Sequence, residues 1–361
     1  MFDYTHYVPV LRWKRGERGA LKALDPVDKA AMTPLLELLP GYMRSRRSGQ
    51  SGAAADDLFV VVDQMADCWG LAPIFVDVAM VSDTPYRGTT TRNVEQFFEA
   101  LTARGVHAVP VTRPDRAAKF QDVIRDLAQV LGKGVAMRVP VTTLRAPHAA
   151  RGLGDLIRYL GLDLGSVDII VEYGLVGAGD PSFSYVCHQL PGIRRWRTFT
   201  ILGGSFPPDL MGFKKPGQYE VQREEWKRWA AEVTNSAGLP RRPSFGDYTI
   251  QHPIYHEPVD GANPSASIHY TSDTYWVIMR GEGLRTPGSA GHAQYPANAE
   301  LLYGRKEFCG PRFSAGDEYI WSVGSHQKPG PGTPETWLRA GINHHLTFAA
   351  RQIPTIPAAS G

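Results

Sequence analysis

The sequence predicts a (β/α)8 barrel of the TIM type with a C-terminal β-rich extension. Short apolar or β-rich runs alternate with helix-like segments through the first two-thirds of the chain. Several runs are apolar nearly throughout, which is typical of parallel strands covered on both faces. Eight such units in about 250 residues match the size of a closed barrel. A doubly wound open sheet gives the same alternation, but no GxGxxG motif follows an early run, so we favour the barrel.

The barrel elements follow the chain order of these runs. The strands are expected at residues 7–13, 33–39, 73–79, 107–112, 135–141, 167–173, 197–203 and 245–251. The helices are expected at Leu58–Trp69, Thr91–Ala103, Ala117–Leu131, Gly152–Leu160, Ser182–Leu190 and Tyr219–Thr234, with a weaker helical segment at 15–32. Residues 1–255 are therefore assigned to the barrel.

Residues 256–361 are assigned to a β-rich extension packed on the barrel. A turn-rich connector, "HEPVDGANPSAS", leads to the runs "IHYTSDTYWVIMRG" and "DEYIWSVGSH". Neither run shows a clear helical repeat, and both predict antiparallel strands. Thr333 is placed to cap a short helix whose first residue is Pro334.

Composition limits the classes of function. The net charge of the 361-residue chain is only +3, so long-range attraction to nucleic acid is not built into the whole molecule. The three cysteines lie far apart without a CxxC pair, which argues against a disulfide framework and a cysteine zinc site. The N-terminus lacks a signal-peptide pattern, and no window approaches eighteen uninterrupted apolar residues. We therefore expect a cytoplasmic protein without a membrane span.

Four charged residues lie inside otherwise apolar strand runs: Glu37, Asp77, Arg138 and Glu172. A charge within a barrel strand must be paired or must line a polar mouth, because burying it alone is costly. One interpretation is an internal salt-bridge layer that holds the barrel rigid. The other is a mouth whose carboxylates, with Asp247 of the last strand, act as acid/base groups or bind a divalent metal such as Mg²⁺.

In the second interpretation, Lys14 and Arg138 would hold an anionic group such as phosphate. Backbone N–H groups of Gly203, Gly204 and Ser205 could approach the same phosphate, although adjacent glycines are also ordinary turn residues. The pattern is similar to that of phosphodiesterase barrels, in which strand-end acids hold a metal. Those barrels carry a first-strand histidine where this sequence has Lys14 and Glu17, which disfavours direct metal-dependent hydrolysis.

His344 and His345 stand side by side near the end of the sequence. On a strand they would point to opposite faces, and on a helix they would diverge by about 100°. One metal is therefore not expected to bind both, and no HxH or HxxxH spacing supports a zinc site. We expect one histidine to bond backbone within the extension and the other to face the barrel mouth. Arg280 would lie near the histidine that faces the mouth. His345 is a catalytic candidate, and His344 and Arg280 are substrate-binding candidates.

Nucleic-acid binding has scattered support. The runs "RRWR" (194–197), "KRW" (227–229) and "MRSRRS" (43–48) mix arginine with tryptophan or serine. This combination suits backbone contacts and base stacking, and solvated helix faces explain it equally well.

The chain resembles the bacterial and phage beta protein family. The resemblance begins at "YVPVLRWKRGE" and "TPLLELLP" and returns at "FGDYTIQHP", "YWVIMRGEG" and "PETWLRAGINHHLTFA". It implies a role in phage–host conflict, because relatives occur beside phage-defence genes. Two hypotheses follow. The protein is either an enzyme acting on a nucleotide or nucleic acid, of a phosphodiesterase or nuclease type, or a non-catalytic recognition subunit working with a nuclease-like partner.

Overall fold

In a computed structural model, the predicted runs form one closed parallel barrel. The structure describes residues 2–39, 53–82, 91–235, 238–257, 259 and 261–357. The barrel strands are β1 Tyr7–Arg12, β2 Leu35–Glu37, β3 Ile74–Asp77, β4 Ala108–Thr112, β5 Val135–Pro140, β6 Val167–Leu175, β7 Thr198–Gly204 and β9 Ser244–Asp247. They pair in the order β1-β2-β3-β4-β5-β6-β7-β9, and β9 closes the ring against β1. The predicted barrel is confirmed.

The helices of the barrel surround it and connect successive strands. They are α1 Arg15–Lys22, α2 Pro26–Ala30, α3 Ala53–Trp69, α4 Ala79–Ser82, α5 Thr91–Ala103, α6 Ala118–Leu131, α7 Ala149–Tyr159, α8 Phe183–Gln189 and α9 Glu224–Thr234. Their apolar faces join the outward side chains of the strands in one large buried cluster. Along β6, for example, Ile169 and Val171 face the helices whereas Ile170 faces the barrel interior.

A three-stranded antiparallel sheet packs beside the barrel in the order β10-β11-β8. Its strands are β8 Gly217–Gln222, β10 Ile268–Thr271 and β11 Tyr275–Arg280. On β11, Trp276 and Ile278 pack into the barrel cluster. Val277 and Met279 on the opposite face pack against α10 Gln294–Tyr303, α11 Ala315–Gly324 and α12 Pro334–Gln352. The sheet is therefore a middle layer between the barrel and three helices.

Two element predictions were wrong. The helix expected at Tyr219–Thr234 begins only at Glu224, because residues 217–222 form β8 and pair with β11. The run "DEYIWSVGSH" lies largely in α11, whose N-cap Ser314 accepts a hydrogen bond from the Asp317 N–H. In the part of the extension that the structure describes, one hairpin is followed by three α-helices, so the extension is not β-rich.

The last helix is longer than the short helix that the Thr333–Pro334 pattern predicts. Thr333 and Thr336 form a reciprocal capping box at its start, and Pro334 occupies the first helical position. The helix then runs for 19 residues and contains both adjacent histidines. It contacts α1 and β10, so it joins the extension to the barrel. Among the described helices, none is long and apolar enough to cross a lipid bilayer.

Candidate functional site

Four charged side chains meet inside the barrel at the carboxyl ends of its strands. The guanidinium of Arg138 donates through Nη1 to Glu37 Oε1 at 2.8 Å and to Asp77 Oδ2 at 2.9 Å. Its Nη2 donates to Glu172 Oε1 at 2.6 Å. Glu37, Asp77 and Arg138 are each no more than 5% exposed. The sequence-predicted convergence of these residues is therefore present, in the form of one arginine held by three carboxylates.

Further arginines and a tyrosine surround this group. Arg12 lies 3.6 Å from Glu37, and Arg113 donates to Glu172 Oε2 at 3.2 Å. Arg116 reaches Asp77 at 3.5 Å, and the Tyr248 hydroxyl donates to Glu172. We call these three carboxylates and four arginines the mouth cluster; its members are Glu37, Asp77, Glu172, Arg12, Arg113, Arg116 and Arg138.

Arg12 was not among the predicted site residues, although the sequence contained the signal for it. It follows Val8 and Val10 at alternating positions of an apolar run, and those two residues line the barrel interior. The same rule that selected Arg138 would have selected it. Arg12 also donates to the backbone oxygens of His252 and Pro253, both at 2.8 Å, and so fixes the connection that follows β9.

The electrostatics of the mouth cluster favour the charged forms of Glu172 and Arg138. Burial alone would raise the pKa of Glu172, but Arg138, the Tyr248 hydroxyl and Arg113 together lower it below its usual value. Burial works against the charge of Arg138, and the surrounding Glu172 and Glu37 carboxylates nevertheless raise its pKa well above normal. A carboxylate with a lowered pKa is a poor general acid at neutral pH.

The same contacts do not fit a divalent cation. All three carboxylates of the mouth cluster accept hydrogen bonds from Arg138, so a metal between them would lie beside a guanidinium charge. Within the described ranges, no group of three His, Cys, Asp or Glu side chains could hold a metal ion. The carboxylates at the mouth are therefore not a suitable ligand set for the expected Mg²⁺.

Lys14 lies beyond the mouth cluster on the rim of the barrel. It is half-buried, and its Nζ lies 4.6 Å from the centroid of the Tyr255 ring. Glu17 is fully buried nearby and accepts a hydrogen bond from Gln251 at 3.0 Å. Burial raises the pKa of Glu17, against the opposing charge of Lys14. Lys14 thus adds a cation at the mouth side of α1.

Gly203, Gly204 and Ser205 do not form the expected phosphate loop. Gly203 and Gly204 lie within β7, and a Cβ added to them would come within 2.6 Å of Val176 and 2.9 Å of Pro253. The Ser205 hydroxyl donates to the Glu225 carboxylate and accepts from the Glu224 N–H at 2.9 Å. These residues permit close packing and fix the start of α9.

We expect Gly203→Ala to lower the free energy of unfolding by about 1–3 kcal/mol, because the added methyl group overpacks against Val176. Urea denaturation measures this loss. Phosphate or nucleotide affinity, measured by calorimetry, should stay unchanged. A variant that keeps its stability but loses an anion-binding activity would restore the phosphate interpretation of this segment. Gly152→Ala, in open space on α7, is the matched control.

Asp247 and His345 meet each other, but outside the barrel. Asp247 points out of β9, accepts from Tyr7 OH at 2.6 Å and lies 2.8 Å from His345 Nε2. The other ring nitrogen of His345 accepts from the Thr271 hydroxyl at 2.8 Å. All four side chains are buried. The prediction that one histidine reaches the barrel mouth is therefore wrong, because α12 packs on the outer wall.

His344 fulfils the other half of that prediction. Its Nε2 donates to the backbone oxygen of Thr271 at 2.9 Å, and its Nδ1 lies 2.8 Å from Asp317 Oδ2. The ring stacks on Tyr270 with centroids 3.7 Å apart. Thr271 therefore touches both histidines, through its backbone and through its hydroxyl. We call Tyr7, Asp247, Thr271, Asp317, His344 and His345 the histidine clamp.

Arg280 and the basic runs also lie elsewhere than expected. Arg280 belongs to β11, outside the barrel wall. In the runs at 194–197 and 227–229, Trp196 and Trp229 are 1% exposed and donate to backbone oxygens, so neither ring is available for base stacking. The run "MRSRRS" at 43–48 lies outside the described residues.

Comparisons with known proteins agree with the sequence resemblance. A family model described as Beta protein matches residues 7–351. No curated protein sequence matches the chain. The YdjI aldolase structure from Escherichia coli K12 is 9% identical, with a TM-score of 0.38 over 99% of this chain and 93% of the aldolase. An alanine racemase structure from Clostridium difficile 630 is 10% identical, with a TM-score of 0.31 over 72% and 54%. The barrel fold of this chain is shown by its own strand pairing.

Proposed function

This chain belongs to the Beta protein family, and we propose that its barrel mouth binds a phosphate-containing ligand, a nucleotide or nucleic acid, without hydrolysing it. The observation that carries the proposal is the concentration of guanidinium groups in the mouth cluster, of which Arg113 is partly exposed. Four arginines lie beside three carboxylates there, and Asp115 accepts a hydrogen bond from Arg113 Nε at 3.2 Å, so an anion would compete with this exposed carboxylate for Arg113. Lys14 lies at the rim, close to Glu17. Arginine forks suit phosphate oxygens because they donate two parallel hydrogen bonds.

Arg113 is the member of the mouth cluster most able to meet a ligand. Its side chain is 27% exposed, whereas that of Arg138 is 4% exposed. Arg113 shares the carboxylate of Glu172 with Arg138, so it could turn toward an anion while Glu172 keeps another partner. Arg138 then holds the three carboxylates in place, and Arg113 and Lys14 bind the phosphate group of the ligand.

A recognition role is favoured over hydrolysis because the acid groups are already engaged. Glu37, Asp77 and Glu172 each accept a short hydrogen bond from Arg138. The catalytic candidate His345 and the substrate-binding candidate His344 are buried in the histidine clamp, on the far side of the barrel wall. Acid/base catalysis needs a group within reach of the reacting atoms and with a pKa near the working pH. The two histidines do not meet the first requirement, and Glu172, whose pKa is lowered, does not meet the second.

The biological part of the proposal rests on family membership. We infer a cytoplasmic recognition subunit in phage–host conflict that works with a co-encoded nuclease-like protein. Binding of a nucleotide or nucleic acid at the mouth would report infection, and the partner would supply the cleavage. A phage-challenge assay with and without the neighbouring gene tests this role.

We expect Arg113→Gln to weaken binding of a fluorescein-labelled single-stranded oligonucleotide by roughly ten- to one-hundredfold, since a hydrogen bond to a charged group contributes about 1.5–3 kcal/mol. Fluorescence anisotropy at several salt concentrations measures the change, and the salt dependence should become shallower. Arg158→Gln is the matched control, because it removes the same charge from a side chain that is 77% exposed on α7. Equal affinities for both variants would contradict the proposal, and so would release of cleaved oligonucleotide by the pure wild-type protein.

A further inference from the structure

The three-stranded sheet beside the barrel has two edges, formed by β10 and β8, with β11 between them. In an antiparallel ladder, the N–H and C=O groups of an edge strand face the neighbouring strand at every second residue and face outward at the residues between. An outward-facing row without partners can pair with another extended chain. The partners of these groups therefore distinguish a closed edge from an open one.

The edge formed by β10 is closed by α12. The Thr271 backbone oxygen, which faces outward, accepts a hydrogen bond from His344 Nε2 at 2.9 Å. Two residues earlier, the helix backbone approaches the strand so closely that a Cβ on Gly341 would lie 2.6 Å from the His269 oxygen. Another strand therefore has no room to pair with β10 at these positions.

Hydrogen-bond alternation fixes which groups of β8 face outward. The Arg223 N–H, directly after β8, donates to the Thr274 oxygen at 2.8 Å. Two residues earlier, the register places Val221 opposite Trp276 on β11. Because bonded pairs recur at every second residue, Val221 and the residues two and four positions before it bond β11. The residues whose N–H and C=O groups face outward are Gln218, Glu220 and Gln222.

These outward-facing groups form an open edge. The Gln222 oxygen lies 3.1 Å from Ser205 Oγ. The N–H groups of all three residues and the oxygens of Gln218 and Glu220 have no partner in the part of the chain that the structure describes. The three side chains are exposed, although Glu220 lies opposite Val277, which packs under the helices of the extension. The helix layer therefore leaves β8 uncovered.

The charges that flank β8 favour a second copy of the same strand as its partner. Lys214 and Lys215 are exposed just before the strand, and Glu224 is exposed just after it, where it also contacts Lys227 at 3.0 Å. Two antiparallel copies bring the basic start of each strand toward the acidic end of the other. Two parallel copies would bring like charges together. The strand is therefore complementary to itself in the antiparallel orientation, as a two-fold axis requires.

The register of such a pair follows from Glu220. Opposite Glu220 of the second copy it would meet a like charge, whereas opposite Gln218 or Gln222 it meets a neutral amide. The register that sets Glu220 opposite Gln218 also brings Lys214 level with Glu224 of the second copy. Arg305 supports this arrangement, because it donates to Gln218 Oε1 at 3.1 Å and to Glu220 Oε1 at 2.7 Å and so offsets the Glu220 charge.

We propose that this chain forms a two-fold symmetric dimer in which the β8 strands of two copies pair antiparallel, with Gln218 opposite Glu220. The outward-facing N–H and C=O groups of these residues then bond across the axis, and the two sheets join into one. The edge belongs to the sheet outside the barrel, so the dimer stands whether or not the mouth binds a ligand.

Sedimentation velocity over a range of protein concentrations tests the dimer. The wild-type protein should show a monomer–dimer equilibrium. Gln218→Glu should raise the dimer Kd by roughly two- to thirtyfold, because it sets a second acid opposite Glu220 at both symmetric positions. Gln222→Glu is the matched control, since it adds the same charge to the same exposed face but lies opposite Pro216 in this register. Its Kd should equal that of the wild type.

Backbone hydrogen exchange measured by NMR locates the interface. The N–H groups of Gln218 and Glu220 should be protected at high protein concentration and unprotected at low concentration. The N–H of Val221, which already bonds β11, should exchange equally slowly at both. This readout separates strand pairing from association through side chains elsewhere.

Three results would overturn the proposal. A wild-type protein that stays monomeric up to about 0.1 mM would show that the charges flanking β8 keep its edge in water. A dimer in which the exchange of Gln218 and Glu220 does not depend on concentration would have its interface elsewhere. A control variant, Gln222→Glu, that weakens the dimer as much as Gln218→Glu would exclude the register.

Discussion

Replacing Arg138 by leucine is expected to lower the free energy of unfolding by about 3–5 kcal/mol, and to lower it more than any other single change at the barrel mouth. Removing one partner of a buried ion pair has a cost of this order, because the remaining charge is buried without compensation. Arg138 has three such partners, Glu37, Asp77 and Glu172, within 2.6–2.9 Å. The value therefore lies toward the upper end of the range.

Urea denaturation at pH 7 measures the loss, and the exposed Arg158→Leu serves as control. Adding Glu37→Gln and Asp77→Asn to Arg138→Leu should recover only part of the stability, since Arg12 and Arg116 then lose the carboxylates that they contact. The wild-type protein should lose stability in acid as Glu172, whose pKa is lowered in the folded state, becomes protonated. That loss occurs as the pH falls through the folded-state pKa, below about 4.3, the ordinary value for glutamate. An Arg138→Leu variant as stable as wild type at pH 7 would contradict the stabilising role of Arg138.

The mouth cluster could be predicted from sequence because strand geometry is local. Side chains alternate between the two faces of a strand, so a charged residue points inward when it lies an even number of positions from an inward-facing neighbour, as Arg138 does from Ala136. Parallel strands of a closed barrel then bring such residues to one end. What the pattern left open was the partner of each group, because Glu37 and Arg138 are 101 residues apart and their contact depends on barrel closure.

The errors in the extension have a physical origin in tertiary pairing. The segment "GQYEVQREEW" is rich in residues with high helix propensity, and its strand half exists because β11, far along the chain, pairs with it. In α11, Tyr319, Ile320 and Trp321 favour a strand locally. The Ser314 cap and the packing of Ile320 and Val323 against neighbouring helices stabilise the helical conformation instead. Local propensity loses to long-range contacts in both cases.

Asp247 shows where side-chain alternation along a strand is insufficient to predict a site residue. Its strand run was correctly placed, yet the carboxylate faces outward, to Tyr7 and His345, and away from the mouth. Its neighbour Tyr248 points into the barrel instead and reaches Glu172. A shift of one residue in an otherwise correct strand exchanges the two faces. The site assignment of Asp247 was therefore more fragile than the strand assignment on which it depended.

Both His344→Ala and His345→Ala are expected to destabilise the protein, each by about 3 kcal/mol, because each removes a hydrogen-bond partner from a buried aspartate and from Thr271. His344 faces Asp317 and His345 faces Asp247, and all four side chains are no more than 1% exposed. Thermal and urea denaturation measure both losses, with the exposed His292→Ala as control. Equal stability of either clamp variant and His292→Ala would exclude a structural role for that histidine.

The pH dependence of His345→Gln provides an independent test of the histidine clamp. Burial lowers the pKa of His345 in the folded state, against the opposing effect of Asp247, so the unfolded chain binds this proton more readily. Stability from this group is therefore present above the ordinary histidine pKa of about 6.5 and is lost as the pH falls through that value toward the folded-state pKa. Burial alone would raise the pKa of Asp247, but His345, the Tyr7 hydroxyl and the charge of Arg223 lower it, which adds a further loss at lower pH. The melting temperature of the wild type should fall between pH 7 and pH 5, and His345→Gln should melt lower at pH 7 with a shallower fall. If the melting temperature of His345→Gln falls as steeply with pH as that of the wild type between pH 7 and pH 5, His345 has the same pKa in the folded and unfolded states. The histidine clamp would then be stabilised by packing alone.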